Sequence, residues 1–137
     1  MRRLVLIGVL VVVAGCGGSE QRENELRPPV PVVMTAAVQD DVVRVSPRSV
    51  GAGPITLVVS NQTDEAQTVS FETDELGGER GGNRASSPQI AAKGTGRLTI
   101  DAREGTYAVR TTDDAIREAR IEIGPARESG QDRVLLP

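Results

Sequence analysis

The chain predicts an all-β fold, a Greek-key antiparallel β-sandwich, on three observations. Seven or so short runs alternate aliphatic or β-branched residues with polar ones. Clusters of Gly, Pro, Asn and Asp separate those runs at short intervals. Only one stretch, residues 113–119, has helical character, enough for one or two turns.

The first fifteen residues read as an export signal. Arg2-Arg3 supply positive charge, residues 4–13 form an apolar run, and Ala14-Gly15 are small residues ahead of a cleavage point. The run is too short to cross a bilayer, for which a helix needs roughly 20 apolar residues. Val13-Ala14-Gly15-Cys16 resembles the lipobox of bacterial lipoproteins, a branched aliphatic and two small residues before a cysteine. The resemblance implies diacylglycerol transfer to the Cys16 thiol and cleavage between Gly15 and Cys16. The mature chain is then expected at the cell membrane, anchored by lipid on Cys16 with palmitate-like chains and facing the extracytoplasmic side. Each buried methylene of such a chain contributes about 0.8 kcal/mol, and two or more chains anchor stably. Residues 16–29 are polar, without apolar period, and read as a lipidated flexible tether.

The sandwich is expected over residues 30–124. Residues 30–38 are an apolar, partly branched run that Pro31 places at an edge or a strand start. Asp40-Asp41 turns the chain into Val42-Val43-Arg44-Val45-Ser46. Pro47 and Gly51-Ala52-Gly53-Pro54 punctuate the next connection. Ile55, Leu57 and Val59 then share one face, as do Val69 and Phe71 after the turn at residues 61–65. Residues 73–87 read as a long solvated loop, with a short strand starting near Ile90. Residues 97–101, 106–110 and 120–123 alternate again, and Gly124-Pro125 closes the last of them. The tail, 125–137, is polar up to Val134-Leu135-Leu136 and is expected to be disordered or to add an edge strand.

Composition removes several kinds of chemistry. Histidine and tryptophan are absent, Phe71 and Tyr107 are the only aromatics, and Cys16 is the only cysteine. Without histidine or a free thiol in the domain, Ser-His-Asp and Cys-His catalysis, ordinary zinc sites and mononuclear copper sites are not expected. A lone cysteine also excludes an internal disulfide. Without residues 1–15 the chain has 122 residues, with fourteen basic against nineteen acidic, a formal charge of −5. That balance argues against nucleic acid as a partner.

Two stretches resemble the cupredoxin-like family, with an immunoglobulin-like sandwich as the alternative. Residues 45–61 are similar to the family segment in which Pro and Gly precede an apolar strand ending in Asn. Residues 94–107 look like its strand followed by Gly105-Thr106-Tyr107. A Tyr at such a corner is expected to hydrogen-bond backbone across it. The resemblance places copper ligands near Gln67-Thr68, at Arg110 or Thr111, and in residues 112–119. None of these is a histidine, cysteine or methionine, so the resemblance transfers a scaffold without copper chemistry. Met34 is expected in the core.

No catalytic, cofactor-binding or metal-binding residue is therefore assigned, and the protein is not expected to be an enzyme. Acidic residues gather at Asp64-Glu65, at Glu72, Asp74, Glu75 and Glu79, and at Asp113-Asp114. They read first as solvated loop charge, and second as oxygen donors for calcium. The Gly-rich segment 77–84 matches neither a P-loop nor a dinucleotide fingerprint. It reads as a connection or as a flexible binding loop. Asn61-Gln62-Thr63 reads as turn chemistry. The leading expectation is a non-enzymatic, membrane-anchored binding or interaction module with an envelope protein partner. Binding of a hard metal, calcium or iron, is the alternative, and a carboxylate-only hydrolase comes last.

Overall fold

The computed structural model describes residues 29–73 and 82–129. The signal, Cys16 and the tether up to residue 28, the acidic loop 74–81 and the tail from residue 130 lie outside them. Among the described residues eight strands are formed: β1 (Val32–Val38), β2 (Val43–Ser46), β3 (Ser49–Asn61), β4 (Val69–Thr73), β5 (Arg84–Ser86), β6 (Thr95–Ala102), β7 (Gly105–Thr111) and β8 (Ala119–Ala126).

Two sheets share β3. Its first residues pair with β8, continuing as β3-β8-β7-β4-β5, and its longer second part lies between β1 and β6, with β2 outside β1. The crossover falls at Gly51, Ala52 and Gly53. The register with β8 shifts between Gly51 and Ala52, and Gly53 has a φ of 126°, which L side chains avoid. At Gly51 a Cβ would lie 2.6 Å from Arg127 Cγ and 2.8 Å from the Pro125 carbonyl oxygen. The glycines thus let one strand change sheets against a closely packed neighbour. The Gly-Pro stretch that reads as a connection is therefore part of a strand.

The sheets are mixed rather than purely antiparallel. The β1–β2 hairpin places β2 on the outer side of β1, so β3 returns along its inner side, parallel to it. β3 also runs parallel to β8. Three further differences have local causes. Arg84–Ser86, inside the expected loop, pairs with β4. β8 continues through Gly124-Pro125 to Ala126 because β3 offers its edge to that segment. Ile90 makes an isolated bridge to Gln67 and no strand. Residues 113–119 form no helix. Asp113 makes one turn, accepting from Ile116 N, and Arg117 is drawn into a bridge with Val42.

The alternation places the core as expected. Met34, Ala36 and Val38 share the inner face of one sheet with Ile55, Leu57, Val59, Leu98 and Ile100, and the other sheet adds Val69, Phe71, Tyr107, Val109, Ile121 and Ile123, all buried. Burying each larger side chain stabilises by about 1.5–3 kcal/mol. The Phe71 and Tyr107 rings meet edge to face, 5.2 Å apart at 70°. The Tyr107 hydroxyl accepts from Arg103 N at 3.0 Å, four residues upstream. That is the corner bond expected from the sequence.

Candidate functional site

The loops at one end of the sandwich hold the positions of interest. Val69 is in register with Thr111, so Gln67, two residues ahead of Val69, and Thr111 sit at that same end. Gln67 is buried and exchanges backbone hydrogen bonds with Ile90 at 2.9 and 2.8 Å, while its Oε1 has no partner. Thr111 Oγ1 donates to Asp113 O at 3.0 Å, and Asp113 Oδ1 accepts from Ala115 N at 2.9 Å. Arg117 ties this loop to the β1–β2 turn, donating its N–H to Asp41 O and accepting from Val43 N.

Asn61 organises the neighbouring loop. It ends β3 because its backbone N–H goes to Gly94 O and its side chain turns inward, 1% exposed. Its Nδ2 donates to three carbonyls, Glu65 O at 2.7 Å, Ile90 O at 3.2 Å and Ala91 O at 3.0 Å. Its Oδ1 accepts from Thr63 N at 3.1 Å and Thr63 Oγ1 at 2.8 Å. The turn chemistry read in Asn61-Gln62-Thr63 is this ring of bonds.

Gln67, Thr111 and the 112–118 loop thus supply amide, hydroxyl, carboxylate and carbonyl groups. Copper(I/II) sites use imidazole, thiolate or thioether donors. The chain has no histidine, and Met34 lies within β1 with its side chain wholly buried in the core. The residues at this end do not fit a copper ion.

The acidic residues are dispersed. Asp64 pairs with Lys93 Nζ at 2.9 Å. The hydrogen bond from Lys93, and then its charge, holds the Asp64 carboxyl below its usual range. This support is present above the ordinary carboxylate pKa and is lost as pH falls through the lowered one. Glu72 is turned to arginines. Asp74, Glu75, Glu79 and the first part of the Gly-rich segment lie outside the described residues. Among the described residues no three His, Cys, Asp or Glu side chains are grouped to hold a metal ion.

The outer face of the second sheet carries a charge chain that the sequence does not reveal. Glu72, 3% exposed, lies 3.0 Å from Arg84 Nε and 3.2 Å from Arg110 Nε. Arg110 reaches Glu118 at 2.9 Å, and Glu118 reaches Arg120 at 3.3 Å. Glu72 Oε2 and Arg110 Nε have no aligned hydrogen-bond partner, so their proximity acts through charge more than through directed bonds. Beside the chain, Arg110, Thr111, Asp113, Asp114, Ile116, Arg117 and Glu118 line a polar depression of about 380 Å³. The only signal in the sequence is opposite charge along several strands, and their pairing is set by topology. Glu72→Gln should cost about 1–2 kcal/mol, since both arginines stay solvated while the shared acceptor loses its charge. Thermal unfolding at low and high salt checks this, and the gap should narrow in high salt. An unchanged gap would mean that charge contributes nothing there.

No family model matches the chain, and no curated protein matches it. Solved structures do. Auracyanin A, a blue copper protein from the green thermophilic photosynthetic bacterium Chloroflexus aurantiacus, is similar with a TM-score of 0.51 and 14% identity, over 69% of this chain and 99% of that one. The domain has a cupredoxin-like fold. A mutant of amicyanin in its oxidised form is similar at a TM-score of 0.46 and 17% identity, over 65% of this chain and 79% of that one. A multi-copper oxidase from Pediococcus acidilactici gives 0.42 and 14%, over 90% and 31%. Within the cupredoxin-like fold, the end formed by Gln67, Thr111 and residues 112–118 is where the resemblance set copper ligands. Polar groups of other kinds stand there.

Proposed function

We propose that the protein is a lipid-anchored envelope lipoprotein whose cupredoxin-like domain is a non-enzymatic binding module without copper chemistry. The observation that carries this reading is the end of the fold around Asn61, Gln67 and Thr111. Amide, hydroxyl and backbone groups brace its loops against one another. A braced loop end beside a polar depression and an arginine–glutamate chain suits recognition of an envelope protein partner. The anchoring half of the proposal rests on Val13-Ala14-Gly15-Cys16.

The test is thermal unfolding of the full chain in detergent with copper(I), copper(II), calcium or iron(III) in excess. A ligand at a hundred times its Kd raises stability by about 2.7 kcal/mol. No shift with copper is expected. A copper shift would overturn the proposal, and a calcium or iron shift would favour the hard-metal alternative. In parallel, expression with a labelled fatty acid should label the wild-type chain and leave Cys16→Ser unlabelled. Equal labelling of both would remove the anchor from Cys16.

A further inference from the structure

Along one side of the sandwich the two sheets end without pairing to each other. β6 pairs with β3 alone, and β5, the last strand of the other sheet, pairs with β4 alone. The register of β6 shows which of its backbone groups β3 uses. Asn61 N donates to Gly94 O at 2.9 Å, and the pairing runs on from Ser60 and Thr95 to Gly53 and Ala102 without a shift. Hydrogen-bonded residues alternate along an antiparallel pair. Gly96, Leu98 and Ile100 therefore turn their N–H and C=O groups to β3, and Thr95, Arg97, Thr99 and Asp101 turn theirs away from it. Two observations agree with this. Pro54, which has no N–H to offer, stands opposite Asp101. Asp101 O accepts instead from Asn83 Nδ2, at 2.6 Å.

Proteins usually shorten, cover or interrupt such an edge, because its unpaired groups are a template for another strand. β5 is three residues long. Beside β2, the backbone of Arg117 bonds to Val43 N and Asp41 O. β6 has eight residues, with no proline and no bulge. Among the described residues no backbone group pairs with its outer side. Its side chains add a second observation. Arg97 and Asp101 are exposed, and among the described residues neither has an ion-pair partner. They stand four residues apart on one face, about 13 Å along the strand, too far to pair within one chain.

We propose that β6 pairs antiparallel with β6 of a second copy, about a twofold axis at Thr99. This register sets Thr99 opposite Thr99 of the second copy, and Arg97 opposite Asp101 of the second copy, twice by symmetry. The residues whose backbone groups point outward then face one another. Both unpaired charges meet their opposite directly across the strands, with Cβ atoms about 4.5–5.5 Å apart. A twofold axis at Arg97 would set like charges together, and one at Leu98 would set each charge opposite a threonine. An unrelated extended peptide has the backbone groups but no reason to carry both charges at this spacing. The contact is small beside the roughly 1,200–2,000 Å² of stable interfaces, so the dimer should depend on concentration.

Sedimentation of the full chain in detergent over a range of concentrations reads the dimer. Arg97→Glu and Asp101→Arg should each weaken it roughly tenfold or more, because both symmetric pairs turn from attraction to repulsion. Arg97→Asp/Asp101→Arg should restore it. Thermal unfolding of dilute samples should be alike in all four proteins, which separates loss of pairing from loss of fold. Oxidation of Thr99→Cys should yield a covalent dimer above the wild-type background, since directly opposite hydrogen-bonded residues lie about 5.5 Å apart at Cα. Thr95→Cys should not, as its two copies would lie about 27 Å apart. Unchanged dimerisation in the single variants, no restoration by the exchange, equal cross-linking at both positions, or a chain that stays monomeric and unlinked would each overturn the proposal. A monomeric chain whose Thr99→Cys variant links in cells to a different protein would assign the edge to that partner, and would overturn it as well.

Discussion

Tyr107→Ala should destabilise the domain by about 4 kcal/mol, and Tyr107→Phe by about 1–2 kcal/mol. The ring is wholly buried, and its loss opposite Phe71 removes an edge-to-face partner 5.2 Å away. Truncating a buried aromatic to alanine costs about 3–5 kcal/mol through lost transfer energy and the cavity left behind. The hydroxyl is a separate contribution. It accepts from Arg103 N at 3.0 Å, with Asn83 Nδ2 at 3.4 Å, and without it the Arg103 N–H is left to find water at the β6–β7 corner. An unsatisfied donor of that kind costs about 1–3 kcal/mol, less where solvent is near. Against a total stability of about 5–15 kcal/mol, that loss is a large fraction, and the alanine variant should unfold at a clearly lower temperature. Chemical denaturation of the three proteins, with equal m-values, separates the two contributions. If Tyr107→Phe fell as far as Tyr107→Ala, the hydroxyl would hold the corner and the ring packing would be secondary.

The legible part of this fold is the part governed by alternation. Ile55, Leu57 and Val59, or Val69 and Phe71, point inward because successive strand side chains take opposite faces, and no partner strand need be known to see it. What could not be read depends on partners distant in sequence. Gly51-Ala52-Gly53-Pro54 looks like a connection, since Gly and Pro end strands more often than they bend them. The structure uses them to move β3 between sheets, and that requires Arg127, far along the chain, to pack against Gly51. Arg84–Ser86 is strand only because β4 offers it an edge. The helical pattern of residues 113–119 yields to Asp113, whose carboxylate caps a turn, and to the pull of Asp41 and Val43 on Arg117. At the candidate site the absence of imidazole was plain from composition. That Asn61 would gather three carbonyls, and Glu72 two arginines, depended on loop and sheet neighbours that no local pattern records.

Asn61 is where that non-local organisation can be tested most sharply. Asn61→Ala should cost about 3 kcal/mol, and Asn61→Asp should cost more at neutral pH although it is nearly isosteric. The amide nitrogen shares two hydrogens among the carbonyls of Glu65, Ile90 and Ala91, within 3.2 Å. Alanine removes three bonds to carbonyls that each keep one other donor, Thr63 Oγ1, Gln67 N and Gly94 N, and it takes the acceptor from Thr63 N, a buried donor whose loss of partner alone costs about 1–3 kcal/mol. Aspartate keeps the acceptor facing Thr63 but turns a second oxygen, with negative charge, toward three carbonyl oxygens. Uncompensated charge in a buried polar network is costlier than a missing group. The new carboxyl is protonated more readily in the folded state than in the unfolded chain, so its folded pKa is raised. The charge penalty is therefore full above that raised pKa and shrinks as pH falls from it toward the ordinary carboxylate pKa. Thermal unfolding of wild type and both variants at pH 7 and pH 4.5 checks the order. The aspartate variant should lie below the alanine variant at pH 7, with the gap narrowing at pH 4.5. An aspartate variant as stable as wild type at pH 7 would mean that the three carbonyls do not converge on this side chain. Such a result would also remove the braced loop end on which the proposed binding role depends.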